Sequence, residues 1–144
     1  MNLLKTTTPI LDEEITFAKC FVDMNAIEGD SYRFYISTLL LALGYSFMEL
    51  RHFTSALDCF TECISMSENF SSDAYFRRSQ VRFYNKKSKE EDLNLALIDI
   101  NKAISINSKN NSKVYNIHLK NVLNEIKRYK DIENMRINSK LVFY

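Results

Sequence analysis

Two cysteines on one predicted helix are the residues whose types and spacing first suggest chemistry. Cys59 and Cys63 lie four positions apart with His52 upstream, and thiolate and imidazole groups are the ligands that zinc prefers. A structural zinc site needs four ligands, and only these three lie near one another in the sequence. The spacing therefore favours small packing residues on a helix, and the sequence predicts no metal and no cofactor.

Nucleophilic and phosphate chemistry have no supporting pattern. His118 lies beside Tyr115 and Val122 on the last predicted helix, where a histidine on a helix face is expected rather than a catalytic base. No serine–histidine–aspartate or cysteine–histidine pair has a local motif around it, and two isolated glycines cannot build a phosphate-binding loop. We therefore predict that the chain is not an enzyme.

The charge is balanced overall but unevenly distributed. The formal net charge of +1 argues against nucleic acid as the main partner. Residues 1–30 carry two lysines against six acidic residues, a balance of −4, whereas residues 73–89 carry six basic residues against Asp73, a balance of +5. This asymmetry indicates internal pairing or an acidic partner. The basic loop at the end of residues 73–89 could touch RNA, but the sequence favours a loop that is simply solvated.

The cysteine count and the apolar runs bear on the compartment. Three cysteines, Cys20 among them, are an odd number in a chain without a recognisable signal peptide. A reducing cytosolic environment is therefore expected, rather than a framework of disulfide bonds. The longest apolar run, at residues 39–44, is far shorter than the ~20 residues of a membrane span. The sequence thus predicts a cytoplasmic protein without a membrane partner.

The composition favours helices joined by short polar loops. Only 2 Gly and 1 Pro are present among 144 residues, too few for the frequent turns of a sandwich or barrel. Apolar residues recur at intervals of three and four through most of the chain. The predicted organisation is an N-terminal arm (1–10), a lone helix (11–27), two similar segments (31–68 and 73–107), a C-terminal helix (111–130) and a tail (131–144).

The two similar segments align without a gap over their second helices. Residues 55–66, SALDCFTECISM, match residues 95–106, LALIDINKAISI. Three pairs of residues take equivalent positions: Ala56 and Ala96, Phe60 and Ile100, and Cys63 and Ala103. The first and third pairs are small, and the pair between them is bulky. In the preceding helices Gly44 and Ser79 occupy one small-residue position. Such a pattern lets two helices approach closely while the bulky residue fills the gap.

This pattern resembles the tetratricopeptide repeat, a helical hairpin of about 34 residues. The stretch DAYFRRSQV (73–81) is similar to the corresponding line in the tetratricopeptide domains of large immunophilins (FKBP-type and cyclophilin-type) and related heat-shock co-chaperones. The last predicted helix resembles the extra helix that follows their third repeat. Over residues 11–130 the resemblance implies an all-α, right-handed solenoid of tetratricopeptide-like helical hairpins with a C-terminal extra helix.

The resemblance also implies a ligand site, but one that has lost most of its groups. In that family a clamp of lysine, asparagine and arginine binds the acidic tail of heat-shock chaperones, which ends Glu-Glu-Val-Asp. The clamp arginine corresponds to Arg77, whereas a clamp lysine corresponds to Asp73 and a clamp asparagine to Ala42. A carboxylate ligand would meet a reversed charge and a missing donor, so the resemblance implies a degenerate clamp.

An apolar surface on the inner face of the hairpins is the predicted binding site. Its residues come from two helices: Thr38, Leu41, Ala42, Tyr45 and Met48 from the first, and Asp73, Phe76, Arg77, Gln80 and Phe83 from the second. Such a lining suits a peptide or a partner helix, and the predicted function is a non-catalytic protein–protein interaction module. Two alternatives remain: a working receptor for the chaperone tail, and a subunit or homodimer that completes a missing first helix from another chain.

Overall fold

The computed structural model describes residues 29–66, 71–85, 89–107 and 112–142, and these residues form helices without any strand. The helices are α1 (Gly29–Glu49), α2 (Phe53–Met66), α3 (Ser72–Tyr84), α4 (Glu90–Ile106) and α5 (Ser112–Val142). The predicted all-α class is confirmed for this part of the chain. The predicted arm (1–10) and lone helix (11–27) lie outside the described residues. The chain divides into two compact units, Met1–Ala74 and Tyr75–Tyr144.

One helix boundary is set by charge, and another differs from the sequence prediction. Helix α4 begins at Glu90, because the acidic first turn suits the positive end of the helix dipole. The backbone N–H of Lys89 also donates to the Asp92 carboxylate at 3.2 Å, as in a capping box. Helix α5 continues past residue 130 to Val142, so the predicted tail is helical over most of its length.

The first unit is built around the close approach of α1 and α2. Both helices contribute apolar stripes to its core: Ile36, Leu40 and Phe47 from α1, and Ala56, Cys59, Phe60 and Cys63 from α2. A Cβ atom built on Gly44 would lie 2.6 Å from the Cε1 atom of Phe60, whose side chain is fully buried. Only glycine therefore allows α1 to lie this close to the Phe60 ring.

We expect Gly44→Ala to destabilise the first unit. The added methyl group overpacks a site that Phe60 already fills, which costs about 1–3 kcal/mol and outweighs the better helix propensity of alanine. Urea unfolding followed by circular dichroism measures the loss. Ser46→Ala, at an exposed position of the same helix, is the matched control and should change little. A Gly44→Ala protein as stable as wild type would show that the contact between Gly44 and the Phe60 ring has room for a methyl group.

Helix α1 ends in a Schellman motif whose left-handed residue is not glycine. The N–H of His52 donates to the carbonyl of Phe47 at 2.9 Å, and the N–H of Arg51 donates to that of Met48 at 3.0 Å. Arg51 has φ 61°, in the left-handed region. The rings of Phe47 and His52, with centroids 6.2 Å apart, supply the apolar contact that accompanies such motifs. The motif fixes the turn into α2 despite an unfavourable residue.

Replacing Arg51 by glycine should therefore stabilise the protein. Glycine removes the Cβ strain of the left-handed conformation, roughly 1–2 kcal/mol, but loses more backbone entropy on folding. We expect a net gain of about 0.5–1 kcal/mol, measured as a higher urea midpoint. Arg51→Ala removes the same guanidinium but keeps the Cβ, so it should bring no gain. Equal stabilisation by both variants would assign the effect to the charge instead.

The second unit packs α4 and α5 together and adds the larger part of α3. Its central cluster contains Leu93 and Ala96 from α4 with Val122 and Ile126 from α5. Phe83, Leu97 and Tyr129 pack against this cluster and are partly buried. Ser79 of α3 approaches α4 closely enough for its hydroxyl to donate to the Ala96 carbonyl at 2.7 Å. The small residues of this segment thus sit at helix contacts, as the sequence pattern predicts.

Candidate functional site

One face of α1 is uncharged and carries exposed apolar side chains. It consists of exposed residues at helical spacing, which together are called the α1 face: Phe34, Tyr35, Thr38, Leu39, Ala42 and Tyr45. The four large side chains are 41–67% exposed. No charged residue occurs between Arg33 and Glu49. A contiguous exposed apolar surface of this kind is typical of an interaction site.

The hydroxyl groups of Thr38 and Ser46 on this side of α1 hydrogen-bond to the backbone of the helix itself. Thr38 Oγ1 donates to the Phe34 carbonyl at 2.9 Å, and Ser46 Oγ donates to the Ala42 carbonyl at 3.1 Å. These bonds direct both polar atoms toward the backbone of α1. A partner covering the face can therefore bury Thr38 and Ser46 without having to replace a lost hydrogen bond to water.

The predicted groove residues on α1 fall on or beside this face. Thr38, Ala42 and Tyr45 belong to it, whereas Leu41 and Met48 are half-buried at its edge. The groove residues on α3 divide between the units, because Asp73 belongs to the first and Phe76, Arg77, Gln80 and Phe83 belong to the second.

On α3 the predicted aromatic lining is covered by α5. Phe76 is only 3% exposed, and its ring centroid lies 4.7 Å from that of Tyr115 and 5.5 Å from that of His118. The ring centroid of the half-buried Phe83 also lies 5.5 Å from that of His118. The expectation that Phe76 lines an open surface is thus corrected, because aromatic packing against α5 buries it.

Arg77, which the resemblance would align with a clamp arginine, contacts a neighbour on its own helix. Its Nη1 atom donates to the Gln80 side-chain oxygen at 3.2 Å, and both residues are half-buried. Asp73, one helical turn earlier, is half-buried as well. A single arginine in such surroundings supplies little of the binding energy that several fixed cations give to a carboxylate.

A buried serine–histidine contact joins α3, α4 and α5. Ser79 is fully buried and His118 is 4% exposed, with 2.8 Å between Ser79 Oγ and His118 Nε2. Because the Ser79 proton is donated to the Ala96 carbonyl, Nε2 carries the proton of a neutral imidazole. Burial lowers the pKa of His118 to about 4. With Nε2 donating, this geometry lacks the base that a nucleophilic serine requires.

A second buried polar group links α3 to α4 through two arginines. Arg78 binds the Asp99 carboxylate with two hydrogen bonds, of 2.8 and 2.7 Å, and Arg82 contacts it at 2.5 Å. The Asp99 side chain is only 3% exposed. Burial lowers the pKa of the Arg82 guanidinium, and the charge of Asp99 opposes that effect. The group fixes the packing of two helices and leaves no open coordination site.

Neither buried polar group is predicted from the sequence, although the Asp99 group left a trace in it. Arg78 and Arg82 are four residues apart and thus share a helix face. Asp99 is the one acidic residue in the apolar stretch LNLALIDINKAISI. A lone carboxylate in an apolar stripe indicates buried cations nearby. His118 showed no comparable signal, since its hydroxyl partner lies 39 residues away.

The two cysteines of α2 have a packing role. Cys59 and Cys63 are buried, and the Cys63 thiol donates to the Ser37 carbonyl at 3.3 Å. Burial raises the pKa of Cys63 to about 11, so its reactive thiolate form is scarce at neutral pH. Among the described residues no three histidine, cysteine or acidic side chains come together as metal ligands.

None of the described helices combines the length and apolarity of a membrane span.

Comparison of the chain with protein-family models, with curated proteins and with solved structures finds no match.

Proposed function

We propose that this chain is a non-catalytic protein-interaction module that holds a peptide or a partner helix on the α1 face. The observation that carries the proposal is the exposure of four large apolar side chains along one uncharged face of α1. Their burial would be favourable by about 25 cal/mol per Å² of apolar surface. The absence of charge over this stretch means that a partner need not desolvate an ion.

The dimensions of the α1 face suit a helical or extended ligand. From Phe34 to Tyr45 it spans about three turns, or roughly 17 Å of helix. Anchors at intervals of three and four residues are the means by which amphipathic helices recognise each other. Ala42, between the larger Thr38 and Tyr45, gives a shallow place where a partner backbone could come close.

The tetratricopeptide arrangement remains part of this proposal. The residues at matching positions of the two segments are all buried: Ala56, Phe60 and Cys63 in the first, and Ala96, Ile100 and Ala103 in the second. Equivalent burial at equivalent positions is what a stacked helical repeat requires. The proposed function would place the chain among proteins that use such hairpins as peptide-binding scaffolds.

The test compares partners retained by wild type with those retained by Tyr35→Ala/Tyr45→Ala. Affinity purification from native lysate with quantitative mass spectrometry should show at least a tenfold loss of specific partners, because two aromatic anchors contribute more than about 1.4 kcal/mol. Both side chains are substantially exposed, so the fold should persist, which circular dichroism verifies.

The matched control is Ile98→Ala, which truncates a side chain of α4 that is 63% exposed. It should leave the partner set unchanged. Partners lost equally from both variants, or retained by both, would contradict a role for the α1 face. Sedimentation of the wild-type chain alone shows whether its partner is a second copy.

A further inference from the structure

The second unit contains a cavity lined by three aromatic residues, one leucine and three polar or charged residues. It has a volume of about 370 Å³ and lies where the end of α3 meets the beginning of α4 and the middle of α5. Its apolar walls are Phe83, Tyr84, Leu93 and Tyr129. The space is sufficient for a small organic group or one long side chain. None of its lining residues belongs to α1, so the inference drawn from it does not rest on the function proposed above.

Two of the rings form a corner at the end of α3. The Phe83 and Tyr84 rings have centroids 5.4 Å apart and planes inclined at 75°. Phe83 is held against the core of the unit, whereas Tyr84 is 50% exposed at the rim. Tyr129, on α5, supplies a third ring to the same cavity. The faces of aromatic rings carry negative potential, which attracts organic cations.

An acidic side chain and a basic one stand at the α5 side of the cavity. Arg128 Nε donates to Glu125 Oε1 at 3.0 Å, and this hydrogen bond lowers the pKa of Glu125. The Arg128 guanidinium carbon lies 5.4 Å from the centroid of the Tyr129 ring. The wall thus already engages one organic cation, the chain's own guanidinium, through a ring and a carboxylate.

We propose that this cavity binds an alkylated ammonium group, such as the methylated side chain of a lysine in a peptide. The rings of Phe83, Tyr84 and Tyr129 would contact the methyl groups, and Glu125 would balance the charge. Arg128, whose side chain is 59% exposed, would release its hydrogen bonds to Glu125 and turn toward solvent when the ligand enters. A neutral apolar ligand would gain nothing from Glu125, so positive charge is the property that the cavity selects.

Titration with tetramethylammonium chloride tests this site directly. At constant ionic strength, nuclear magnetic resonance should show saturable shifts of the Tyr84 and Tyr129 ring signals, with a dissociation constant in the range of about 1–50 mM. Glu125→Gln keeps the shape and removes the charge, and should weaken binding about threefold or more. Arg128→Gln removes the internal competitor and should strengthen binding by a similar factor.

Neopentyl alcohol is the matched neutral probe, since its branched end resembles the ammonium group without the charge. It should bind at least several-fold more weakly than the cation. Equal affinity for both probes, an unchanged affinity in Glu125→Gln, or no saturable shift up to about 100 mM would overturn the proposal. Tyr84→Leu, altered at the exposed rim, should weaken cation binding while leaving the core intact; unchanged binding would remove the aromatic corner from the site.

Discussion

Replacing Asp99 by alanine is expected to lower the free energy of unfolding by about 3–5 kcal/mol. Asp99 is the shared acceptor of Arg78 and Arg82, whose side chains are only 16% and 17% exposed. Without the carboxylate, two guanidinium groups face each other with little water to screen them. Urea unfolding at neutral pH measures the loss.

The chain offers a matched surface pair for comparison. Arg136 and Glu133 lie 3.9 Å apart on α5, with side chains 66% and 58% exposed. Glu133→Ala removes one partner of an exposed pair and should cost less than about 1 kcal/mol. If Asp99→Ala costs no more than Glu133→Ala, then the buried group does not hold α3 to α4.

A triple variant separates stability from the need for charge. Replacing Arg78 and Arg82 by methionine together with Asp99 by leucine removes all three charges at similar volume. We expect stability close to that of wild type, or above it, because the cost of desolvating the ions disappears as well. A triple variant as unstable as Asp99→Ala would show that the geometry of the ion group, and not the cost of unpaired charge, determines stability.

Acidification should destabilise the second unit through His118. Its folded pKa of about 4 lies below the value of 6.5 for an exposed histidine. Below pH 6.5 the unfolded chain therefore binds a proton that the folded chain does not, and stability falls as pH decreases toward 4. Between pH 7 and pH 4.5 we expect a loss of about 2–3 kcal/mol from this residue.

The variant His118→Gln isolates that contribution. Its side-chain amide can still donate to Ser79 Oγ but does not titrate. The variant should be less stable at pH 7, because it loses the ring contacts with Phe76 and Phe83, yet its stability should decline less between pH 7 and pH 4.5. Urea unfolding at several pH values measures both slopes. Parallel slopes for wild type and His118→Gln would show that His118 titrates as an exposed histidine does.

Periodicity predicted the parts of the fold that depend on packing between sequence neighbours. The aligned stretches 55–66 and 95–106 identified buried positions correctly, because alternation of small and bulky residues directly reflects helix contact. The same method missed the end of α5. Residues 131–140 are all exposed, so no apolar stripe marks them, although their helix propensity suffices to continue an existing helix.

The buried polar groups depend on contacts that no local pattern encodes. Asp99 meets Arg78 across 21 residues, and Ser79 meets His118 across 39. Likewise, helical spacing placed Phe76 on a face of α3, but only the position of α5 decides whether that face is covered. Half of the α1 face was predicted, namely Thr38, Ala42 and Tyr45. The sequence prediction did not include Phe34, Tyr35 and Leu39, which are also exposed there.

Site-specific photo-crosslinking tests the proposed role of the α1 face most directly. A photoreactive benzoylphenylalanine is placed at Thr38, on the face, and in a second protein at Thr61, an exposed position of α2. After irradiation in native lysate, the derivative at 38 should yield a discrete crosslinked protein, and that product should disappear when Tyr35 and Tyr45 are also replaced by alanine. Crosslinks formed only from position 61, or equally from both, would contradict the account.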